Sequence, residues 1–315
     1  AGGVFTNLTQ DHFDFHPTIE HYFESKALLF TRYIALSQGY SVVNHEDPYG
    51  ARLLAEISGT SASYGATVEC NLVLQEITTR ADGTRWELVL KNGVWPERLR
   101  EGVNVTELFS PLAGRYNACN CTAAAGVALL EGLTLTQVRE GLASFPGVPG
   151  RLQRIANDAG INVYVDYAHT PDALLNVLSA LRELRADGSR IITVFGCGGD
   201  RDPDKRPKMG AAAQIGSDLI VVTSDNPRSE DPEAIIDQIL AGIDGEQGPD
   251  PPALATNIIR ESDRRAAIML ALQEAGPGDF VLIAGKGHED YQILKTETIH
   301  FSDAEEVAAY FDTKW

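Results

Sequence analysis

The stretch SDNPRSEDP, residues 224 to 232, places Arg228 one residue past a rigid Asn-Pro step and close to Asp225, Glu230 and Asp231. A guanidinium in that company either closes a surface salt bridge to Glu230 or Asp231, worth about 0 to 1 kcal/mol, or is held to meet a ligand. A second reactive stretch is GKGHED, residues 285 to 290, whose Lys286 is the one lysine that follows a glycine. A Walker A loop needs a glycine five positions before its Gly-Lys and a Ser or Thr after it. Those positions hold Phe280 and Gly287, so the chain has no phosphate-cradling loop of that kind. GKGHED is either a glycine-rich turn after a strand or a loop that crowds His288, Glu289 and Asp290 together for chemistry.

Near the start, TQDHFDFH carries His12, and HYFESKALLF carries Lys26 among Phe23, Ala27, Leu28, Leu29 and Phe30. One reading is a lysine that snorkels from a helix. The other is a desolvated amine that loses its proton more easily. Once neutral, it takes up carbon dioxide to become a carbamate, a carboxylate-like metal ligand. Beside His12 such a group would suit Mg²⁺, a hard cation that prefers oxygen.

These residues need elements to position them. From about residue 161 onward, INVYVDYA, RIITVFG, DLIVVTS, ATNIIR and DFVLIAG read as strands. PDALLNVLSALREL, PKMGAAAQIG, DPEAIIDQILAGI and DRRAAIMLALQEA read as the helices between them, several opening on an Asp or Pro suited to a helix start. The alternation predicts an α/β fold with a Rossmann-like, doubly wound, mostly parallel sheet. Ligands bind such sheets at the carboxyl ends of the strands, and DYAHTPD, GCGGDRD, SDNPR and GKGHED all follow strands. The first half is less regular. A helix pattern covers about 17 to 38, YSVVN reads as a strand, and VECNLVLQEITTRADGTRWELVL as an antiparallel pair around an Asp-Gly turn. RYNACNCTAAAGVALLEG and TLTQVREGLAS read as helices, and FPGVPGR, 145 to 151, as an interdomain hinge.

With 315 residues the chain has room for two domains. Lys and Arg total 26 against 44 Asp and Glu, a net charge of −18 that argues against a nucleic-acid or anionic-membrane surface. An anionic substrate would have to be held by local cations or metal ions. No run approaches the roughly 18 apolar residues of a membrane helix, and no charged-then-apolar leader opens the chain. Cys70, Cys119, Cys121 and Cys197 form no zinc pattern and read as reduced, which suits the cytoplasm. A start at AGGVFTNL reads as a chain entered part-way through a domain.

Taken in order, TNLTQDHFDFH…YFESK, GRYNACN, VPGRLQ, VYVDYAHTPDAL, FGCGGDRDPDKRP, DNPR and AGKGHEDYQ resemble the Mur ligase family, from the first residues to about residue 305. The resemblance implies ATP-dependent amide synthesis in peptidoglycan assembly, with ATP and Mg²⁺ as cofactors. A carboxylate of UDP-N-acetylmuramoyl-L-alanyl-D-glutamate is phosphorylated and an amino acid's amine then attacks. It further implies that residues 1–147 are the later part of the central, ATP-binding domain and 148–315 the carboxyl-terminal, amino-acid-binding domain of a cytoplasmic monomer. The UDP-binding domain, the Walker A loop and an acidic metal ligand would then lie outside these residues, and the chain alone is expected to be inactive.

By the same resemblance, His12 and carbamylated Lys26 are Mg²⁺ ligands, and Asn117 and Asn120 contact the nucleotide, with helix capping equally open for Asn117. Arg151 meets the nucleotide, and Asp166 and His169 lie near its ribose and phosphates, unless they only build an Asx or helix-start turn before Pro171. The DNPR loop reads the added amino acid. meso-2,6-Diaminopimelate carries a second carboxylate that lysine lacks, and the planar fork of Arg228 can meet it with two parallel hydrogen bonds. Asp225, Asn226, Pro227, Arg201, Gly285 and Glu289 complete the expected pocket. A lysine-adding ligase, a folylpolyglutamate synthetase and an amino-acid-binding module without catalysis are the competing readings.

Overall fold

A computed structural model describes residues 1–9, 15–80, 83–91, 94–96, 104–243 and 257–312. They form two units, Ala1–Pro146 and Gly147–Trp315. No described helix is long and apolar enough to cross a membrane.

The first unit is built on a six-stranded sheet in sequence order: β1 (Gly2–Phe5), β2 (Tyr40–Asn44), β3 (Thr60–Gly65), β4 (Leu72–Arg80), β5 (Gly83–Leu90) and β6 (Asn104–Ser110). β1 to β4 run parallel, and β4, β5 and β6 are antiparallel. Side chains alternate across a strand, so Val42 and Val43 enter different cores. Val42 packs with Leu72, Trp86, Leu88 and Leu129, the last from α3 (Arg115–Leu130). Val43 packs with Phe23, Phe30 and Leu53, from α1 (Ile19–Leu28), the π-helical turn Leu29–Ile34 that extends it, and α2 (Pro48–Glu56). The α3 backbone lies so close to the sheet that a Cβ on Gly126 would stand 2.8 Å from Leu72 Cδ1. α4 (Leu135–Ser144) closes the unit with a Thr134–Gln137 capping box.

The second unit holds the predicted doubly wound sheet. Its strands are β7 (Gln153–Ile155), β8 (Asn162–Asp166), β9 (Ile191–Phe195), β10 (Leu219–Val222), β11 (Asn257–Arg260) and β12 (Phe280–Ala284), in the spatial order β11-β10-β9-β12-β8-β7. All pairs are parallel except β7 with β8 at one edge. Every residue of β9, β10 and β12 is buried, the mark of strands covered on both faces. The helices that connect and flank them are α5 (Pro171–Leu184), α6 (Lys205–Gly216), α7 (Pro232–Leu240), α8 (Arg264–Glu274) and α9 (Asp303–Asp312). One face packs Val163, Val194, Val221 and Ile283 against Ile268 and Leu272 of α8 and Val307 and Tyr310 of α9. The predicted starts hold for three helices: Thr170, Asp231 and Asp263 accept from Ala173, Glu233 and Ala266 main-chain N–H groups. α6 begins earlier than its pattern suggests, which leaves Pro207 in the first turn, where no helical N–H is needed. Between β12 and α9 runs a short hairpin, β13 (Tyr291–Ile293) with β14 (Thr298–His300).

The carboxyl ends of β10 and β12 are joined from beneath by a fully buried ion pair. Arg264 and Asp303 meet in a two-pronged contact, Nε to Oδ1 and Nη2 to Oδ2, both 2.7 Å. The same guanidinium donates to the carbonyls of Ser224 (3.3 Å) and Ala284 (3.0 Å). Burial opposes the charge on Arg264, and the Asp303 carboxylate more than restores it, so its pKa is raised. Removing one member of such a pair strands the other without water. Asp303→Ala is therefore expected to lower the stability of this unit by about 3 to 5 kcal/mol, read from urea unfolding curves.

Candidate functional site

Because neighbouring parallel strands end together, the loops after β8, β9, β10 and β12 share one rim. Asn226 is the junction of that rim. Its main-chain oxygen accepts from Gly199 N (2.9 Å) and Arg228 Nη1 (3.4 Å). Its side-chain oxygen accepts from Ile293 N (2.9 Å) and Lys286 Nζ (3.4 Å), and its Nδ2 donates to Glu289 Oε2 (2.9 Å). One buried amide thus ties the loops after β9, β10 and β12 to the β13 hairpin. Arg228 has a left-handed backbone, φ 52°, held by its N–H to the Ile293 carbonyl (3.1 Å). That conformation costs a non-glycine residue of order 1 to 3 kcal/mol and persists only where surroundings enforce it.

The salt bridge offered as the ordinary explanation of Arg228 does not form. Glu230 is taken by Arg206 of α6, in paired 2.8 Å contacts from Nη1 and Nη2, and Asp231 caps α7. Among the described residues no carboxylate pairs with Arg228. Its Nη1 donates to main-chain oxygens, Gly199 at 2.8 Å and Asn226, which fixes the fork, and its other nitrogens have no hydrogen-bond partner among the described residues. Around it the loops are clasped together. Asp200, itself left-handed at φ 53°, accepts from the Ser229 hydroxyl (2.7 Å) and N–H (3.1 Å), and its own N–H donates to Glu230 (2.5 Å). Ser229 holds the Asp200 carboxyl below its usual pKa. Arg206, with help from the Asp200 N–H, holds Glu230 down at about 2. Arg201 is exposed, its Nη1 on the Asp200 carbonyl.

The GKGHED loop turns sharply, with Gly285 at φ 111° and Gly287 at φ 54°. A Cβ would stand 2.7 Å from Asp225 Oδ2 at the first and 2.7 Å from Tyr167 Cβ at the second, so both positions require glycine. The turn sends Lys286 inward, where its side chain is completely buried beside Glu289 Oε2 (3.1 Å). Asp225, also buried, accepts from Gln292 Nε2 on its main-chain oxygen (2.8 Å). Pro227, buried in the same loop, fixes the backbone between Asn226 and Arg228.

Along the same rim, Asp166 is buried and builds the Asx turn foreseen as its plainer role, accepting from Ala168 N (2.7 Å) while also accepting from Leu152 N (2.6 Å). Burial raises its pKa despite those two N–H groups. His169 Nδ1 lies 2.9 Å from the Tyr167 carbonyl. Tyr167 gathers two of the residues expected at the nucleotide, with Arg151 Cζ 4.9 Å over its ring and the His169 ring 4.7 Å from it, and the His288 ring of the GKGHED loop lies 5.4 Å away. Tyr167 itself carries no signal in the sequence. Nor do Arg206, Arg264 or Lys286 as supports, since a charge spent inside a unit looks in sequence like any other.

In the first unit, Lys26 is exposed on α1 with its ammonium 4.8 Å from the Tyr22 ring, while its apolar sequence neighbours Phe23, Ala27 and Phe30 turn inward. His12 lies outside the described residues. Asn117 is buried in the first turn of α3, where Gly114 is the N-cap and the Asn117 amide donates to the Ala113 carbonyl (2.7 Å). Asn120 follows one turn later and is exposed.

A parallel sheet with this rim, preceded by a mixed sheet, defines a class. The chain belongs to the Mur ligase family: residues 1–128 match the Mur ligase middle domain and residues 150–287 the Mur ligase glutamate ligase domain. Among its relatives is the UDP-N-acetylmuramoyl-L-alanyl-D-glutamate--2,6-diaminopimelate ligase of Geobacter metallireducens, 47% identical over 320 residues that cover 98% of this chain. A solved structure of a ligase with that name superposes with a TM-score of 0.61 at 34% identity, covering 99% of this chain and 60% of that one. Folylpolyglutamate synthase of Mycobacterium tuberculosis, solved with ADP and AMPPCP, reaches 0.66 at 23% identity over 90% of this chain and 61% of its own, a likeness of fold alone. The chain spans 60% of the length of the Geobacter relative.

The clasp at Glu230 carries a pH signature. The folded state lowers the proton affinity of Glu230 from 4.5 to about 2, so its contribution to stability is complete above about pH 4.5 and is lost as pH falls through 2. The stability difference between wild type and Glu230→Gln, measured by urea unfolding, is expected to stay constant from about pH 7 to 5 and to shrink toward zero near pH 2.

Proposed function

We propose that the chain is part of an ATP-dependent ligase that joins meso-2,6-diaminopimelate to UDP-N-acetylmuramoyl-L-alanyl-D-glutamate, and that the rim of the second unit selects the diamino acid. The observation that carries this reading is Arg228: a guanidinium braced on two main-chain carbonyls, with no carboxylate partner among the described residues. The distal carboxylate of diaminopimelate supplies the missing partner through charge-assisted bonds. Glu289, tied to Asn226 through Oε2 alone, offers Oε1 to the neighbouring ammonium, with Asp225 and the Gly285 backbone alongside. Arg201, exposed at the rim, can swing onto the other carboxylate. Lysine would leave Arg228 desolvated and unpaired, and sites built around a polar group reject analogues that lack it.

In the proposed reaction the acceptor carboxylate takes a phosphoryl group from ATP, releasing ADP. The diaminopimelate amine then forms the C–N bond as phosphate leaves, and the amine gives up a proton. The rim's part is to hold the amine still and oriented against its target. Asn117, Asn120, Arg151, Asp166 and His169 are the proposed nucleotide contacts. Arg151, over the Tyr167 ring, is exposed and able to reach an anion. Mg²⁺, when bound, neutralises phosphate charge. Its proposed ligands are His12 and carbamylated Lys26, but among the described residues no three His, Cys, Asp or Glu side chains gather for a metal and the Lys26 amine is exposed. The 315 residues also contain no Walker A loop.

Calorimetry with the purified chain is expected to show uptake of diaminopimelate in clear preference to lysine. Arg228→Ala should weaken diaminopimelate by roughly 10- to 100-fold, the scale of one lost hydrogen-bonded charge, and leave lysine unchanged. Unaltered diaminopimelate affinity in that variant would remove the assignment. Mixed with ATP, UDP-linked dipeptide and diaminopimelate, the chain is expected to release no ADP. Release of ADP would overturn the view that phosphoryl transfer needs residues outside it, and binding without release leaves the binding-module reading to be judged on a longer polypeptide.

A further inference from the structure

Lys286 has no part in the chemistry above, yet it sits at the rim with none of its side chain exposed. Lysine is almost never fully buried unless paired. Here every N–H of the ammonium has an acceptor: Glu289 Oε2 (3.1 Å), Asn226 Oδ1 (3.4 Å) and the Tyr291 carbonyl (2.5 Å). The Tyr291 ring lies 5.3 Å from the same nitrogen. Three acceptors in three directions suit a compact ammonium and not the flat fork of arginine.

Two of those acceptors are the side chains of Glu289 and of Asn226, and the main-chain oxygen of Asn226 accepts from Arg228. Glu289 receives both its protein donors, Lys286 Nζ and Asn226 Nδ2, on Oε2, and among the described residues Oε1 accepts none. A carboxylate so placed is held through one oxygen while the other is left without a protein donor among the described residues. Asn226, gripped on its side-chain oxygen, is fixed with its main-chain carbonyl against Arg228. A cation sealed beneath Glu289 holds that carboxylate in place without occupying the pocket. Gly285 and Gly287 make the sharp turn that seals it there.

We propose that Lys286 is a positioning residue for amino-acid selection, acting through Glu289 and touching no substrate. The proposal rests on the rim being the diaminopimelate site, and a double-mutant cycle separates the two ideas. meso-Diaminopimelate is titrated calorimetrically into the full chain as wild type, Lys286→Met, Glu289→Gln and the double variant, each first checked for a cooperative melt. Both single variants should bind about tenfold more weakly or worse, and the double variant no more weakly than Glu289→Gln alone, because Lys286 works through a carboxylate already removed. A lysine that merely supported the fold would give losses that multiply, which overturns the proposal, as does wild-type affinity in Lys286→Met. If that variant fails to melt cooperatively, Lys286→Arg carries the same cycle with the charge retained, and multiplied losses or unchanged affinity there overturn the proposal equally. Should Glu289→Gln bind normally, or wild type take up no diaminopimelate, the reading of the rim falls and this inference with it. Should Glu289→Gln and Arg228→Ala weaken binding while Lys286→Met does not, the rim stands and only the role of Lys286 falls.

Discussion

A loop that leaves the end of a parallel strand has no ladder of its own, so its polar main chain must be satisfied by something else. In the second unit that task falls to buried cations bonded to main-chain carbonyls. Arg264 holds Ser224 and Ala284, Arg206 holds Gly198, and Lys286 holds Tyr291. Each is paired with a carboxylate: Asp303, Glu230 and Glu289. The pairing makes burial tolerable, and the carbonyl bonds turn each charge into a strut. Without these struts the DNPR and GKGHED loops would have few reasons to adopt one conformation.

The same arrangement bears on how a chain of net charge −18 could hold a dicarboxylate at the proposed site. The surrounding field repels anions, so attraction has to be local and short in range. Arg228 is braced on carbonyls and closes no salt bridge with a described carboxylate, while Arg206, Arg264 and Lys286 are spent on the protein's own acids. Its left-handed backbone serves the same placement: the strain at φ 52° is sustained by the Ile293 carbonyl and by the Pro227 step before it. In the proposed site, selection thus rests on one braced arginine, not on a basic surface.

Much of this architecture is legible in the residues alone. The alternation after residue 161 foretells β8 to β12 and their helices, because buried parallel strands are uniformly apolar and their loops polar. What escapes are elements whose form is imposed from outside. β7 is a short polar strand that exists by pairing with β8, and β13 and β14 lean on each other. β3, TSASYG, is too small and polar to announce itself and is a strand because β2 flanks it. α2 is missing from the pattern of expected helices although Asp47 and Pro48 mark its start, and that signal is present to be read. In the site, Arg228 and its loop stand out by type and spacing, whereas the salt bridge that competes with a ligand can be dismissed only from geometry. Lys26 shows the reverse: apolar sequence neighbours suggest burial, but the helix turns Phe23, Ala27 and Phe30 inward and leaves Leu28 and Leu29 exposed with the lysine.

Gly-Lys-Gly illustrates why the residue types of a loop do not settle its chemistry. In a phosphate loop the glycines open the backbone to an anion and the lysine reaches outward to it. In this chain the glycines again permit a turn that no side chain would, but the turn closes over the lysine and faces its charge inward. The difference lies in what each Cβ would strike: Asp225 on one side and Tyr167 on the other, both from neighbouring loops. Those contacts are long-range in sequence and exist only once the sheet has brought the strand ends together. A short motif can therefore state that a lysine is tightly placed, while the topology alone decides whether it serves a ligand or the residues that bind one.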